Sequence, residues 1–314
     1  MIALYICLGV LVLLLLFCFA TTLACYIFTF YHPDKKKKPD DLTPLSGGKY
    51  SKFDASDVIN KAGALPYEKV YIKSHDGLKL YGRFYKGQEG KPINIQFNGY
   101  KGNGVRDMAG GLSFSLELGI NVMCTDQRAH GHSEGHTISF GIKERYDVLD
   151  WINYTIDRFG QDTKIIISGI SMGAATVLMA ADLDLPENVI AIIADCPYSS
   201  PFEIVAKVTK QDLKLPWKII KPFMLLSARL FGHFNLKESS AIESVKNAKV
   251  PILIIHGDDD DFVPVDMSRK MQKENPELIT LVEVPGAPHG LSFVVNNTLY
   301  RQSVIDFYKK NLIN

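Results

Sequence analysis

Charge is missing from the first 31 residues, Met1 to Tyr31. A cleaved signal peptide wants a basic leading segment and a short apolar core, and this stretch offers neither. A lipoprotein site at Cys25 wants leucine three residues earlier, where Thr22 stands. Cysteine is sparse: Cys7, Cys18, Cys25, Cys124 and Cys196 are the five thiols of a 314-residue chain. Their irregular spacing gives no disulfide framework and no zinc pattern. Buried free thiols are the plainer reading of Cys124 and Cys196. Net charge almost vanishes, since 35 basic and 34 acidic side chains leave +1. No basic field therefore points to nucleic acid. Walker and dinucleotide spacings are absent around Gly99, Gly102 and Gly104. The run Asp258 to Asp261 lacks the alternating ligands of an EF-hand loop. No internal repeat is visible.

What is present starts with apolar material. At 46% hydrophobic and 22% charged residues, the chain can bury a sizeable core in one large domain or two small ones. The uncharged N-terminus holds Leu11-Val12-Leu13-Leu14-Leu15-Leu16-Phe17. It exceeds the roughly 20 apolar residues that cross a hydrocarbon layer. Tyr26, Phe28, Phe30 and Tyr31 stand near its end, where interfacial rings are favoured. The block Lys35 to Lys38 follows. The positive-inside rule then puts the rest of the chain on the cytoplasmic side, and the lysines suit anionic headgroups. The expectation is a transmembrane anchor over 1–31 that contacts membrane lipid. A juxtamembrane linker rich in Pro, Gly, Ser, Lys and Asp covers 32–66, and one domain fills 67–314.

Within that domain, Val70-Tyr71-Ile72 and Leu78 to Phe84 read as a hairpin turning at His75-Asp76-Gly77. Short apolar runs then recur at 93–97, 120–124, 165–167, 189–193, 252–255 and 281–284. Continuous β-branched runs suit strands buried on both faces. Helical stretches between them predict an α/β fold with a mostly parallel sheet flanked by helices. The segment from Pro201 to about Ser240 is long for a crossover. Its apolar residues and lysines read as a helical insertion that caps the site, or as an extended crossover with a basic face.

The chemistry is concentrated in Gly169-Ile170-Ser171-Met172-Gly173, with a strand before and a helix-forming run after. That is the context of a nucleophile elbow. Side chains two before and two after the serine would clash in so tight a turn. The turn lifts the Ser171 hydroxyl above the sheet and lets the Met172 N–H donate to an oxyanion. A serine needs a base, and the base needs an orienting acid. His256 to Pro264, with four aspartates, follows one buried strand, and Pro285 to Gly290, with His289, follows the last. Both lie at C-terminal strand ends, where open α/β sheets bind ligands. His130, His132 and His136 lack a matching ligand set for metal, and a role in loop hydrogen bonding is preferred.

From Glu68 to Leu312 the chain resembles the α/β-hydrolase superfamily, in particular its serine-aminopeptidase-like and monoacylglycerol-lipase-like branch. The resemblance rests on the elbow, on Asp126-Gln127-Arg128-Ala129-His130-Gly131-His132-Ser133, and on the Ser, Asp, His order. It implies Asp260 as triad acid, with Asp261 the strongest rival, and His289 as base. It implies a second oxyanion donor at the Tyr100 N–H, although Asn98-Gly99 stands where relatives often carry His-Gly. The expected activity is serine hydrolysis of an ester or related acyl bond on a small acyl substrate, with lipid-like esters favoured by the anchor, and with no cofactor or metal. A peptidase or thioesterase would use the same triad. A non-catalytic binding module on the same fold is the rival from another class.

Overall fold

Runs of isoleucine, valine and leucine build the centre of the molecule. The computed structural model describes residues 1–34 and 39–311, so Lys35 to Lys38 and residues 312–314 lie outside the described residues. Eight strands form one sheet: β1 (Glu68–Lys73), β2 (Lys79–Tyr85), β3 (Ile93–Phe97), β4 (Asn121–Asp126), β5 (Ile165–Ile170), β6 (Val189–Asp195), β7 (Ile252–Gly257) and β8 (Ile279–Val284). Their order is β1-β2-β4-β3-β5-β6-β7-β8. β2 pairs antiparallel with both β1 and β4, and every other pairing is parallel. The expected hairpin is therefore present at the sheet edge. Its turn is closed by the Ser74 N–H donating to the Leu78 carbonyl at 2.8 Å.

Helices cover both faces, as buried parallel strands require. They are α1 (Ile2–Thr29), α2 (Ser56–Gly63), α3 (Gly104–Glu117), α4 (Glu144–Phe159), α5 (Met172–Ala180), α6 (Pro201–Lys207), α7 (Trp217–Leu230), α8 (Ala241–Ser244), α9 (Asp266–Glu274), α10 (Ser292–Val295) and α11 (Asn297–Asn311). One apolar cluster joins the sheet to α4, α5 and the segment between β6 and β7. A second joins it to α11 and Phe114 of α3. The connection after β3 runs to β4 on one side, and the connection after β4 crosses to β5 on the other. That reversal opens a crevice at the C-terminal strand ends.

One stretch differs from a simple reading of the sequence. Residues 32–66, expected as a linker, include the 3₁₀ turn Gly48–Lys52 and α2, and Ile59 and Ala62 of α2 are buried against α3. The 201–240 insertion is helical, as α6, a π-type turn (Val208–Asp212) and α7. α1 is long and apolar enough to cross a membrane. Its end is also part of the fold. Phe30 is fully buried, with its ring 5.8 Å from Phe140 and 5.2 Å from Phe234.

Candidate active site

Ser171 sits between β5 and α5 with φ +53° and ψ −112°. An L residue seldom occupies that region, and holding one there costs about 1–3 kcal/mol. The surroundings over-determine it. The Ser171 N–H donates to the Asp195 carbonyl at 2.8 Å, and its own carbonyl accepts from the Ala175 N–H at 3.0 Å. The glycines are needed for contact distance. A Cβ on Gly169 would lie 2.3 Å from the Gly173 carbonyl carbon, and one on Gly173 would lie 2.1 Å from the Phe97 oxygen.

From this elbow a hydrogen-bonded chain runs across three strand ends. Ser171 Oγ lies 2.8 Å from His289 Nε2, and His289 Nδ1 lies 2.6 Å from Asp260 Oδ2. The other Asp260 oxygen, Oδ1, accepts the N–H groups of Phe262 at 2.9 Å and Val263 at 2.7 Å. The four neighbouring aspartates separate cleanly. Asp258 accepts the Gly286 N–H, while Asp259 and Asp261 pair with Lys49 at the surface. Asp260 alone of the four reaches His289.

Burial by itself would raise the Asp260 pKa. Hydrogen bonds from His256 and His289, with the electrostatic attraction of the same two residues, outweigh it and hold the carboxyl well below the usual carboxylate range. His256 is fully buried. Its Nε2 donates to the Val263 carbonyl at 2.8 Å and lies 3.3 Å from Asp260 Oδ2, and its Nδ1 contacts the Ser268 hydroxyl at 2.7 Å. His256 thus buttresses Asp260, a contact its place at a strand end did not reveal. Asp195 was also missed. It ends β6, is buried beside Ser171, and is pushed up to about 6 by burial against the opposing influence of His256 and His289. Burial pushes the Cys196 thiol well up too, which leaves it an inert neighbour.

The loop after β3 faces the serine. The Gly99 N–H donates to Asp107 Oδ2 at 2.9 Å, and the Lys101 N–H to His130 Nε2 at 2.9 Å. His130 Nδ1 donates to the Arg128 carbonyl at 2.8 Å, so this ring is neutral and fastens two loops together. Asn98 Oδ1 accepts the Gln127 N–H at 2.9 Å, which anchors the loop where relatives often carry histidine. The Tyr100 N–H has no hydrogen-bond partner among the described residues. Met172 opens α5, so its N–H precedes the helical ladder. Arg128 is clamped bidentately by Asp147, at 2.6 and 2.5 Å, and binds Asp76 at 2.7 Å. That ties the loop after β4 to the β1–β2 turn.

Two recesses meet at Ser171. One, of about 290 Å³, lies toward α2, α3 and α10 and includes Arg106, Asp107, Asp195 and His289. The other, of about 610 Å³, lies toward α1 and the 201–240 insertion and is almost wholly apolar. Tyr100 and Phe262 border both.

Residues 97–219 match the family model described as alpha/beta hydrolase fold. An uncharacterized protein of Bacillus subtilis is 30% identical over 194 residues, 61% of this chain and 63% of that protein. The match thus spans less than two thirds of that relative's length. The alpha/beta hydrolase domain-containing protein WAV2 of Arabidopsis thaliana is 26% identical over 78% of this chain and 80% of its own. The bifunctional esterase/perhydrolase DCH of Acinetobacter calcoaceticus is 22% identical over 70% of this chain and 93% of its own. Among solved structures, the Pyrococcus furiosus esterase Pf2001 superposes with a TM-score of 0.65 at 23% identity, over 88% of this chain and 99% of that one. Strand order, elbow and these likenesses together assign the chain the α/β-hydrolase fold.

Proposed function

We propose that the protein is a serine hydrolase that cleaves an ester or related acyl bond, with Ser171 as nucleophile, His289 as base and Asp260 as orienting acid. The observation that carries this reading is the unbroken relay from Ser171 Oγ through His289 to Asp260, at 2.8 and 2.6 Å. Both contacts are within reach for proton transfer. In the first step Oγ bonds to the acyl carbon while its proton passes to His289 Nε2. Asp260, held anionic, fixes the imidazole tautomer and stabilises the imidazolium. The Met172 and Tyr100 N–H groups receive the oxyanion. The C–O bond to the alcohol then breaks, and His289 returns the proton to the leaving oxygen. Water repeats the sequence on the acyl-enzyme, releasing the acid and restoring Ser171.

The esterase named among the relatives supports this reaction class. A fluorophosphonate probe tests it. The wild type should label, and Ser171→Ala and His289→Ala should not. Turnover by Ser171→Ala should fall by about 10⁶-fold, the scale on which triad members act as a unit. Equal labelling of wild type and Ser171→Ala would overturn the assignment. In the same reading α1 anchors the enzyme in a membrane, and Lys35 to Lys38 set the hydrolase domain on the cytoplasmic side.

A further inference from the structure

The larger recess is not closed by the α/β domain alone. Thr21, Ala24, Cys25 and Phe28 of α1 form one wall, and Ile204 and Met224 of the insertion stand among the residues opposite. Ser171 is among its lining residues. The end of α1 is also wired to the site, because the Tyr100 hydroxyl donates to the Thr29 carbonyl at 2.7 Å.

The exposure of α1 is uneven. Ile2 to Ala20 are exposed without interruption, and from Thr21 onward the helix is largely packed on the domain. Those exposed residues rise about 28 Å, close to the thickness of a hydrocarbon layer. A bilayer around these residues would have its surface level with Thr21, at the α1 wall of the recess.

The insertion carries matching chemistry. On α7, Ile219, Leu226 and Leu230 are 62%, 44% and 53% exposed. Their spacing of seven and four places them on one helical stripe. Lys218 and Arg229 are exposed on the same helix. An exposed apolar stripe with basic neighbours is the pattern of a helix lying in a membrane interface. α7 is also where α1 emerges. The Phe231 ring lies 6.0 Å from Phe19 and 5.6 Å from Tyr26.

We propose that the substrate is a membrane-resident ester whose acyl chain enters the larger recess sideways from the bilayer, between α1 and α7. The anchor helix is then a substrate-binding element. The acyl chain fills the apolar recess, and the alcohol part lies in the smaller recess beside Arg106. This rests on the hydrolase reading above.

The test uses the full chain in lipid nanodiscs. p-Nitrophenyl acetate is compared with p-nitrophenyl dodecanoate for the wild type, Ala24→Phe and Leu213→Glu. Leu213 borders the recess and is 60% exposed, so its replacement leaves the core intact. The wild type should favour the dodecanoate, and both variants should lower the dodecanoate-to-acetate ratio of kcat/KM at least tenfold. In parallel, Ser171→Ala in nanodiscs is irradiated with a monoacylglycerol bearing a diazirine in its acyl chain. Crosslinks should fall within 21–29 and 204–224. An enzyme that turns over acetate with no gain for the longer chain, a ratio untouched by both variants, and no crosslinks in those segments would overturn the acyl portal and leave the hydrolase intact. Failure of the wild type to label with fluorophosphonate or turn over either ester would overturn the hydrolase reading itself.

Discussion

At the scale of single residues, the site depends on which carboxyls are charged. Asp260 is kept anionic by two ring N–H groups and two backbone N–H groups. Asp260→Asn keeps the shape and changes the hydrogen-bonding partner offered to His289, which favours the wrong tautomer. A loss of about 10⁴ in kcat is expected. Steady-state rates of Asp260→Asn beside Asp261→Asn check it, and a larger loss in Asp261→Asn would reassign the acid. Asp195 behaves oppositely. Its carboxyl holds a proton in the folded protein up to about 6, against an ordinary 3.8. Between these values the unfolded chain has released a proton that the folded one keeps. Stability therefore falls as pH rises through this window, by about 3 kcal/mol. Thermal melts at pH 4 and pH 6 should show the wild type losing stability relative to Asp195→Asn. Parallel slopes for the two proteins would mean that Asp195 is ionised throughout.

At the scale of elements, the elbow is where local geometry decides function. A Cβ on Gly173 would press on the carbonyl of Phe97, which leads into the loop after β3. Gly173→Ala should cost about 1–3 kcal/mol of stability by overpacking. It should lower kcat/KM by roughly 10²-fold, because a displacement near 1 Å is enough. A denaturant melt and a rate measurement on the same sample check both numbers. A variant that lost stability but kept full activity would detach the loop from the elbow.

This element was legible in the sequence because both glycines are demanded by contact and both flank the serine. The strands were legible for a similar reason, since burial on two faces leaves runs such as Ile252 to Ile255. Other features had no such signature. Four consecutive aspartates differ only in where a tight turn points each one, and sequence reading needed a family spacing to prefer Asp260. α2 buries only Ile59 and Ala62, too few to print a helical period on a polar stretch. The support that His256 gives to Asp260 depends on a turn folding back across four residues, which no local pattern reports.

At the scale of the whole molecule, α1 has two parts that differ in exposure. Ile2 to Ala20 are exposed, with Phe19 meeting only the Phe231 ring at the end of α7, whereas Tyr26 and Phe30 pack against the domain. The Tyr26 hydroxyl bonds Thr137 at 2.7 Å, and Tyr31 bridges to the same residue through its backbone. Removing the Phe30 ring would leave a cavity between Phe140 and Phe234 and cost about 3–5 kcal/mol. For a domain of this size that is roughly 6–20 °C in Tm. Phe17→Ala, in the exposed part, should change Tm by no more than a degree or two in the same detergent. The contrast separates an anchor that merely tethers from one whose last turns belong to the hydrolase core. If Phe30→Ala melted with the wild type, the end of α1 would be a passive tether, and the wall it lends to the larger recess would lose its rigidity.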